Sequence, residues 1–126
     1  LNTVKMNNSE DQVLFGYMSH AVLQIERQSF ELLPSIEKSI RRFLEIRDKR
    51  YAFEEYFLEL LRSLKNPQKA EMSFRNFLEK VRPLENEPFE KVAFEYFDFV
   101  AWAESKLLPE TLAERVKARI SLRDVL

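Results

Sequence analysis

His20 is the only histidine in the chain, and the sequence contains no cysteine. His-rich and zinc–thiolate metal sites, and the paired Glu-x-x-His motifs of di-iron helical bundles, are therefore excluded. Ser19 precedes His20, but no acid is spaced to complete a Ser-His-Asp triad. We therefore expect His20 to be a surface or half-buried structural residue, and we expect neither a metal ion nor another cofactor.

Carboxylate pairs such as Glu54/Glu55 and Glu87/Glu90 could support acid–base catalysis if burial shifted their pKa values. The sequence instead places them on polar helix faces and in a loop, so we expect solvated carboxylates. The single glycine, Gly16, also excludes a glycine-rich phosphate loop. No residue set indicates an enzyme or a small-molecule substrate.

Two stretches are candidates for binding a partner. Basic residues are densest between 38 and 50, where they could contact phosphates or an acidic peptide, although helix C-termini also collect such residues. The segment 92–103 is apolar around most of its circumference, and either neighbouring helices or a partner must cover it. The candidate partner-binding residues are Arg41, Arg42, Arg47, Lys49, Arg50, Tyr96 and Trp102.

The composition indicates one all-α domain spanning residues 1–126. The single glycine and five prolines leave too few turn residues for an all-β fold. No apolar run approaches the roughly 18 residues needed to span a membrane. The net charge of -1 is far from the basic balance of a typical nucleic-acid-binding domain. The lack of cysteine suits a reducing compartment, so we expect a cytoplasmic protein.

Prolines and apolar periodicity divide the chain into about six helices. Ser9 and Gln12 match a capping box at the start of the first. Basic residues near Arg47, followed by Glu54 and Glu55, suit the end of one helix and the start of the next, with Asp48 available as a cap. The predicted helices are 9–28, 34 to about 48, about 50–65, from 67 to the acidic loop 83–88, 88–107 and 109–123, after a disordered segment 1–8.

The second and fourth predicted helices contain an internal repeat. Ser39–Glu45 and Ser73–Glu79 agree at five of seven positions and lie 34 residues apart. Downstream, Ala52–Glu54 recurs as Ala93–Glu95. Repeat copies are therefore predicted at about 34–65 and 67–107, each a pair of helices, and we expect Phe43 and Phe77 to occupy equivalent buried positions.

A period of about 34 residues in helix pairs resembles that of tetratricopeptide repeats. The resemblance implies antiparallel hairpins stacked in a short right-handed superhelical array, closed by a capping helix at 109–123 that covers Trp102. The chain departs from that motif, because Phe43, Glu55 and Arg62 stand where the family carries small residues, so no binding residues are transferred. The segment 94–107 is also similar to the end of uncharacterised helical-repeat proteins from Bacteroidetes.

The resemblance and the lack of catalytic residues together favour a non-enzymatic scaffold. We expect it to bind a protein or peptide, or to self-associate as a homo-oligomer. The alternative is a nucleic-acid-associated helical regulator that uses the basic residues from Arg41 to Arg50, although the net charge makes nucleic acid the less favoured partner.

Overall fold

The computed structural model describes residues 9–47 and 51–107, and the regular structure within them is helical. This confirms the predicted all-α class for the described part of the chain. Segment 1–8 and the predicted capping helix 109–123 lie outside the described residues. The α-helices are α1 (Ser9–Glu26), α2 (Leu33–Ile46), α3 (Ala52–Ser63), α4 (Ala70–Val81), α5 (Val92–Tyr96) and α6 (Phe99–Ser105), with short 3-10 helices at Phe30–Leu32, Pro67–Lys69 and Arg82–Asn86.

Helix α1 ends at Glu26, two residues before the predicted end, in a Schellman motif. Gln28 adopts a positive φ of 60°. The Ser29 N–H donates to the Gln24 carbonyl at 2.8 Å, and the Gln28 N–H donates to the Ile25 carbonyl at 3.0 Å. Glycine usually occupies this left-handed position, so its absence hid the end of the helix from sequence analysis.

The predicted break between α2 and α3 is confirmed, since α2 ends at Ile46 and α3 begins at Ala52. The two helices run antiparallel. Next to the break, Arg47 pairs with Glu54. At the far ends, the Arg62 Nε donates to the Glu37 carboxylate at 3.2 Å. Asp48, the predicted cap, lies outside the described residues.

The predicted fifth helix over 88–107 is wrong, because the chain forms two shorter helices there. Phe97 is extended, with φ -161° and ψ 140°, and separates α5 from α6. The Asp98 carboxylate accepts the Ala101 N–H at 3.0 Å and so caps α6. The break also packs the Phe97 ring against Phe99, with centroids 5.0 Å apart. The predicted loop 83–88 is likewise largely a 3-10 helix.

The core is rich in aromatic rings, and Phe53 lies at its centre. Its ring contacts Phe77 of α4, Phe94 of α5 and Phe99 of α6, with centroid separations of 6.2, 5.3 and 4.8 Å. The predicted apolar stripes of the first four helices are largely buried. These buried residues are Leu14, Met18, Ala21, Ile25, Ile36, Ile40, Leu44, Phe53, Phe57, Leu60, Leu61, Leu64, Phe74, Phe77, Leu78 and Val81.

The expected equivalence of Phe43 and Phe77 is wrong. Phe77 is 3% exposed and contacts the rings of Phe53 and Trp102. Phe43 is half-buried at the edge of the core. Helix α4 is covered by both α3 and α6, whereas α2 packs on α1 and α3, so the same sequence position meets different neighbours.

This difference predicts unequal costs for the two substitutions. Phe77→Ala should lower the free energy of unfolding by about 3–5 kcal/mol, as expected for a buried phenylalanine. Phe43→Ala should cost only about 1–2 kcal/mol, because its side chain is only partly buried at the edge of the core. Urea denaturation of both variants measures this. Equal losses would contradict the half-buried placement of Phe43.

Candidate functional site

A small cleft at the start of α3 brings together residues that are far apart in the sequence. Side chains from α1, α3 and the segment before and into α5 form it, and its volume is about 40 Å³. That is room for a few water-sized groups and no more. It is referred to below as the α3 cleft, and its lining residues are Asp11, Phe15, Tyr51, Phe53, Glu54, Phe89, Glu90, Val92 and Ala93.

Glu90 caps α3 from a distant part of the chain. Its Oε2 accepts the Ala52 N–H at 2.9 Å, and its Oε1 accepts the Phe53 N–H at 3.0 Å. The first N–H groups of a helix have no partner within the helix, and a carboxylate there also offsets the positive end of the helix dipole. Glu90 is half-buried, so the expectation of a solvated loop carboxylate is wrong. This contact holds the segment that carries Phe89 against the start of α3.

Arg47 neutralises part of the negative charge in the α3 cleft. Its guanidinium pairs with Glu54, lies 3.6 Å from the Asp11 carboxylate and stands over the Tyr51 ring, 5.3 Å from the centroid. The Arg47 side chain is only 14% exposed. This candidate residue therefore contacts groups of its own chain and supports the cleft.

Glu54 is buried rather than solvated, contrary to the sequence-based expectation. Burial raises the pKa of Glu54, the hydrogen bonds from Arg47 and from the Tyr51 N–H lower it, and the nearby Glu90 carboxylate raises it again. The pKa lies above its usual value on balance. Like charges are therefore crowded in the α3 cleft.

An aromatic wall adjoins these charges. Phe15 lies one helical turn after Asp11 and stacks on Tyr96, with centroids 4.3 Å apart and planes 7° from parallel. Tyr96, a predicted partner residue, is 39% exposed. Phe89 is 71% exposed and lines the same cleft. Arg47 and Tyr96 thus each contact residues that line the α3 cleft, Arg47 through its ion pairs and Tyr96 through Phe15.

Trp102 lies in the core, so the structure corrects its prediction as a partner-binding residue. The side chain is 0% exposed, and its ring contacts Phe74 and Phe77 at 5.4 and 6.4 Å. The indole Nε1 donates to the Glu26 carboxylate at 2.9 Å. Trp102 therefore connects α6 with α4 and α1.

The remaining basic candidates do not join the α3 cleft. Arg41 pairs with Glu37 one turn earlier on α2, and Arg62 of α3 donates to the same carboxylate. Burial raises the pKa of Glu37, but the hydrogen bonds from Arg41 and Arg62 outweigh it and lower the pKa below 4.5. Arg42 is exposed. Lys49 and Arg50 lie outside the described residues.

The lining of the α3 cleft combines carboxylates with apolar surface. In the part of the chain that the structure describes, its lining residues are acidic, aromatic or aliphatic and include no histidine, serine or cysteine. Over residues 9–47 and 51–107, no group of three or more His, Cys, Asp or Glu side chains is arranged to hold a metal ion. Within the same ranges, no helix combines the length and the apolar character that crossing a membrane requires. His20 is exposed on α1.

The comparisons with protein-family models, with curated proteins and with solved structures found no match for the chain. The interpretation of the α3 cleft therefore depends on its own residues. The predicted site residues did not include Asp11, Phe15 or Phe89, and Glu90 was predicted to be a solvated loop carboxylate. One signal was present, since Phe89 is the single aromatic residue in the polar stretch 82–91.

The Glu37 cluster predicts a pH-dependent contribution to stability. Because the folded pKa of Glu37 lies below 4.5, its contribution is present above that pH and is lost as the pH falls through the folded value. Glu37→Gln should therefore lower the free energy of unfolding by about 1–3 kcal/mol at neutral pH. Near pH ~3, the free energies of unfolding of the variant and the wild type should lie closer together. Urea denaturation at the two pH values measures it.

The matched control is Glu71→Gln. Glu71 also pairs with an arginine one turn later, Arg75, but the two side chains are 75% and 57% exposed. This variant should cost less than about 0.5 kcal/mol at either pH. Equal losses for Glu37→Gln at both pH values would contradict the lowered pKa.

Proposed function

We propose that the chain is a non-enzymatic domain that binds a protein or peptide, and that the α3 cleft is its contact surface. The observation that carries this proposal is the position of Phe89, which is 71% exposed on the rim of a cleft that also contains buried rings and carboxylates. Aromatic residues beside a polar rim are typical of binding hot spots. The lack of cysteine supports a cytoplasmic setting.

The proposal includes a diverged tetratricopeptide-like arrangement. The antiparallel packing of α2 on α3 supports it, as does the burial of matching repeat positions, Ile40 with Phe74 and Leu44 with Leu78. The second copy differs from the first, because its second helix is divided into α5 and α6. In this arrangement the α3 cleft lies where the first helix pair meets the chain that enters the last helices.

The nucleic-acid alternative has less support from the described residues. Phosphate binding needs cationic groups that face solvent. Arg41 and Arg47 instead pair with Glu37 and Glu54. Among the described residues of this basic stretch, Lys38 and Arg42 are exposed, and two cationic groups give a weak electrostatic surface.

A peptide selection with a matched pair of variants tests the proposed function. Phage-displayed random peptides would be selected on the wild-type protein, and their affinities would then be measured on Phe89→Ala and Met72→Ala. Met72 is an exposed apolar residue on α4, 60% exposed, and lies outside the α3 cleft. The selected peptides should lose about tenfold or more in affinity on Phe89→Ala and almost nothing on Met72→Ala.

Both variants should fold like the wild type, since exposed substitutions usually change stability by less than about 0.5 kcal/mol. Peptides that bind Phe89→Ala as well as they bind the wild type would exclude the α3 cleft as the contact surface. Failure to enrich any peptide, together with salt-dependent binding of a DNA or RNA oligonucleotide, would favour the alternative function. Sedimentation at increasing concentration detects self-association through the same face.

A further inference from the structure

We propose that the α3 cleft binds the end of a lysine side chain of its partner, with an apolar residue of that partner lying on Phe89. This inference rests on the proposed function and specifies the chemistry of the partner. It follows from the surplus of negative charge among the described residues of the α3 cleft, from the placement of its carboxylates on three parts of the fold and from its aromatic wall.

Over residues 9–47 and 51–107, the carboxylates that line the α3 cleft outnumber the cationic groups that contact them. Asp11, Glu54 and Glu90 come from three different parts of the fold. One guanidinium, that of Arg47, is shared between Asp11 and Glu54. Glu90 contacts the amide end of α3, which supplies roughly half a positive charge. About one and a half negative charges remain, and a cationic group from a partner would complement them.

The positions of the carboxylates in the α3 cleft favour an ammonium group over a guanidinium. A volume of about 40 Å³ accommodates a compact head group and the last methylene groups of a side chain. An ammonium has three donors that can point in different directions, as carboxylates from three elements require. A guanidinium is a planar fork that suits two parallel acceptors on one side.

The aromatic wall suits the remainder of a lysine side chain. Lysine packs its methylene stem along apolar surface while its ammonium stays among polar groups. Phe15 and Phe89 provide such surface beside the carboxylates, and an ammonium near an aromatic face gains cation–π attraction. The groove between α3 and α4 lacks this charge surplus, because Lys80 pairs with Glu59 there at 2.6 Å.

Three blocked tripeptides test the inference: acetyl-Phe-Lys-Phe-amide and the same peptide with norleucine or glutamate in place of lysine. Norleucine keeps the stem and removes the charge. Amide proton–nitrogen correlation spectra of the full chain would be recorded with each peptide up to about 10 mM, which detects millimolar affinity. The lysine peptide should shift the amides of Ala52, Phe53 and Glu90 and bind at least about threefold more tightly than the norleucine peptide.

Two variants identify the site. Asp11→Asn should weaken the lysine peptide about two- to fivefold and leave the norleucine peptide unchanged. Phe89→Ala should weaken both peptides, because it removes apolar surface. Raising the salt from about 50 to about 500 mM should weaken the lysine peptide alone. If Asp11→Asn unfolds, the salt series and Phe89→Ala still separate the charged contact from the apolar contact.

The inference is overturned if the lysine peptide shifts no amide of the α3 cleft, if it shifts only residues elsewhere, or if norleucine or glutamate serves as well as lysine. Equal binding of the norleucine peptide would exclude only the proposed lysine contact, and the α3 cleft would still be a surface that binds peptides. Loss of the proposed function would instead appear as phage-selected peptides that are insensitive to Phe89→Ala.

Discussion

The first turn of α3 carries both the centre of the aromatic core and the charged groups of the α3 cleft. The Phe53 ring packs against rings of α4, α5 and α6, and the Phe53 N–H donates to Glu90. The next residue, Glu54, is buried against Arg47. This first turn of α3 therefore contacts α4, α5, α6 and the segment before α5 at once. The orientation of α3 sets both how the last helices pack and how the cleft carboxylates face one another.

This arrangement makes the α3 cleft a pre-formed site. The backbone donors of Ala52 and Phe53 are held by Glu90, and the ring of Phe53 is fixed by its neighbours. A pre-organised surface spends little conformational entropy when a partner binds, so even a small contact can give measurable affinity. The cap also couples the segment before α5 to α3, because Glu90 accepts the first N–H groups of α3 while the adjacent Phe89 lines the rim of the cleft. The packing of the helices and the proposed recognition of a partner thus depend on the same contacts.

Patterns among residues close in the sequence predicted the features that depend on contacts within one helix or at its ends. The apolar stripes of α1 to α4 and the break after α2 follow from helical spacing and from charges at helix ends, and the structure has them. The break at Phe97 was not predictable in this way, since it depends on how Phe97 packs against Phe99 and Trp102. The capping role of Glu90 could not be predicted for the same reason, because the N–H groups that it caps lie 37 and 38 residues away. The half-burial of Phe43 depends on the position of α2 in the fold.

The charge of the site is where sequence and structure differ most. The run from Arg41 to Arg50 indicates a basic surface for phosphates or an acidic peptide, since residues adjacent in sequence are read together. The fold separates them: Arg41 joins Glu37, and Arg47 turns to Asp11 and Glu54. Arg47 then lies among carboxylates that outnumber it. These carboxylates are up to 79 residues apart in the sequence, from Asp11 to Glu90. A buried cation neutralises the carboxylates that it contacts within its own chain. The carboxylate charge that remains determines which charge on a partner is complementary. Over the described residues of the α3 cleft that balance is negative, which is the basis of the proposed lysine contact.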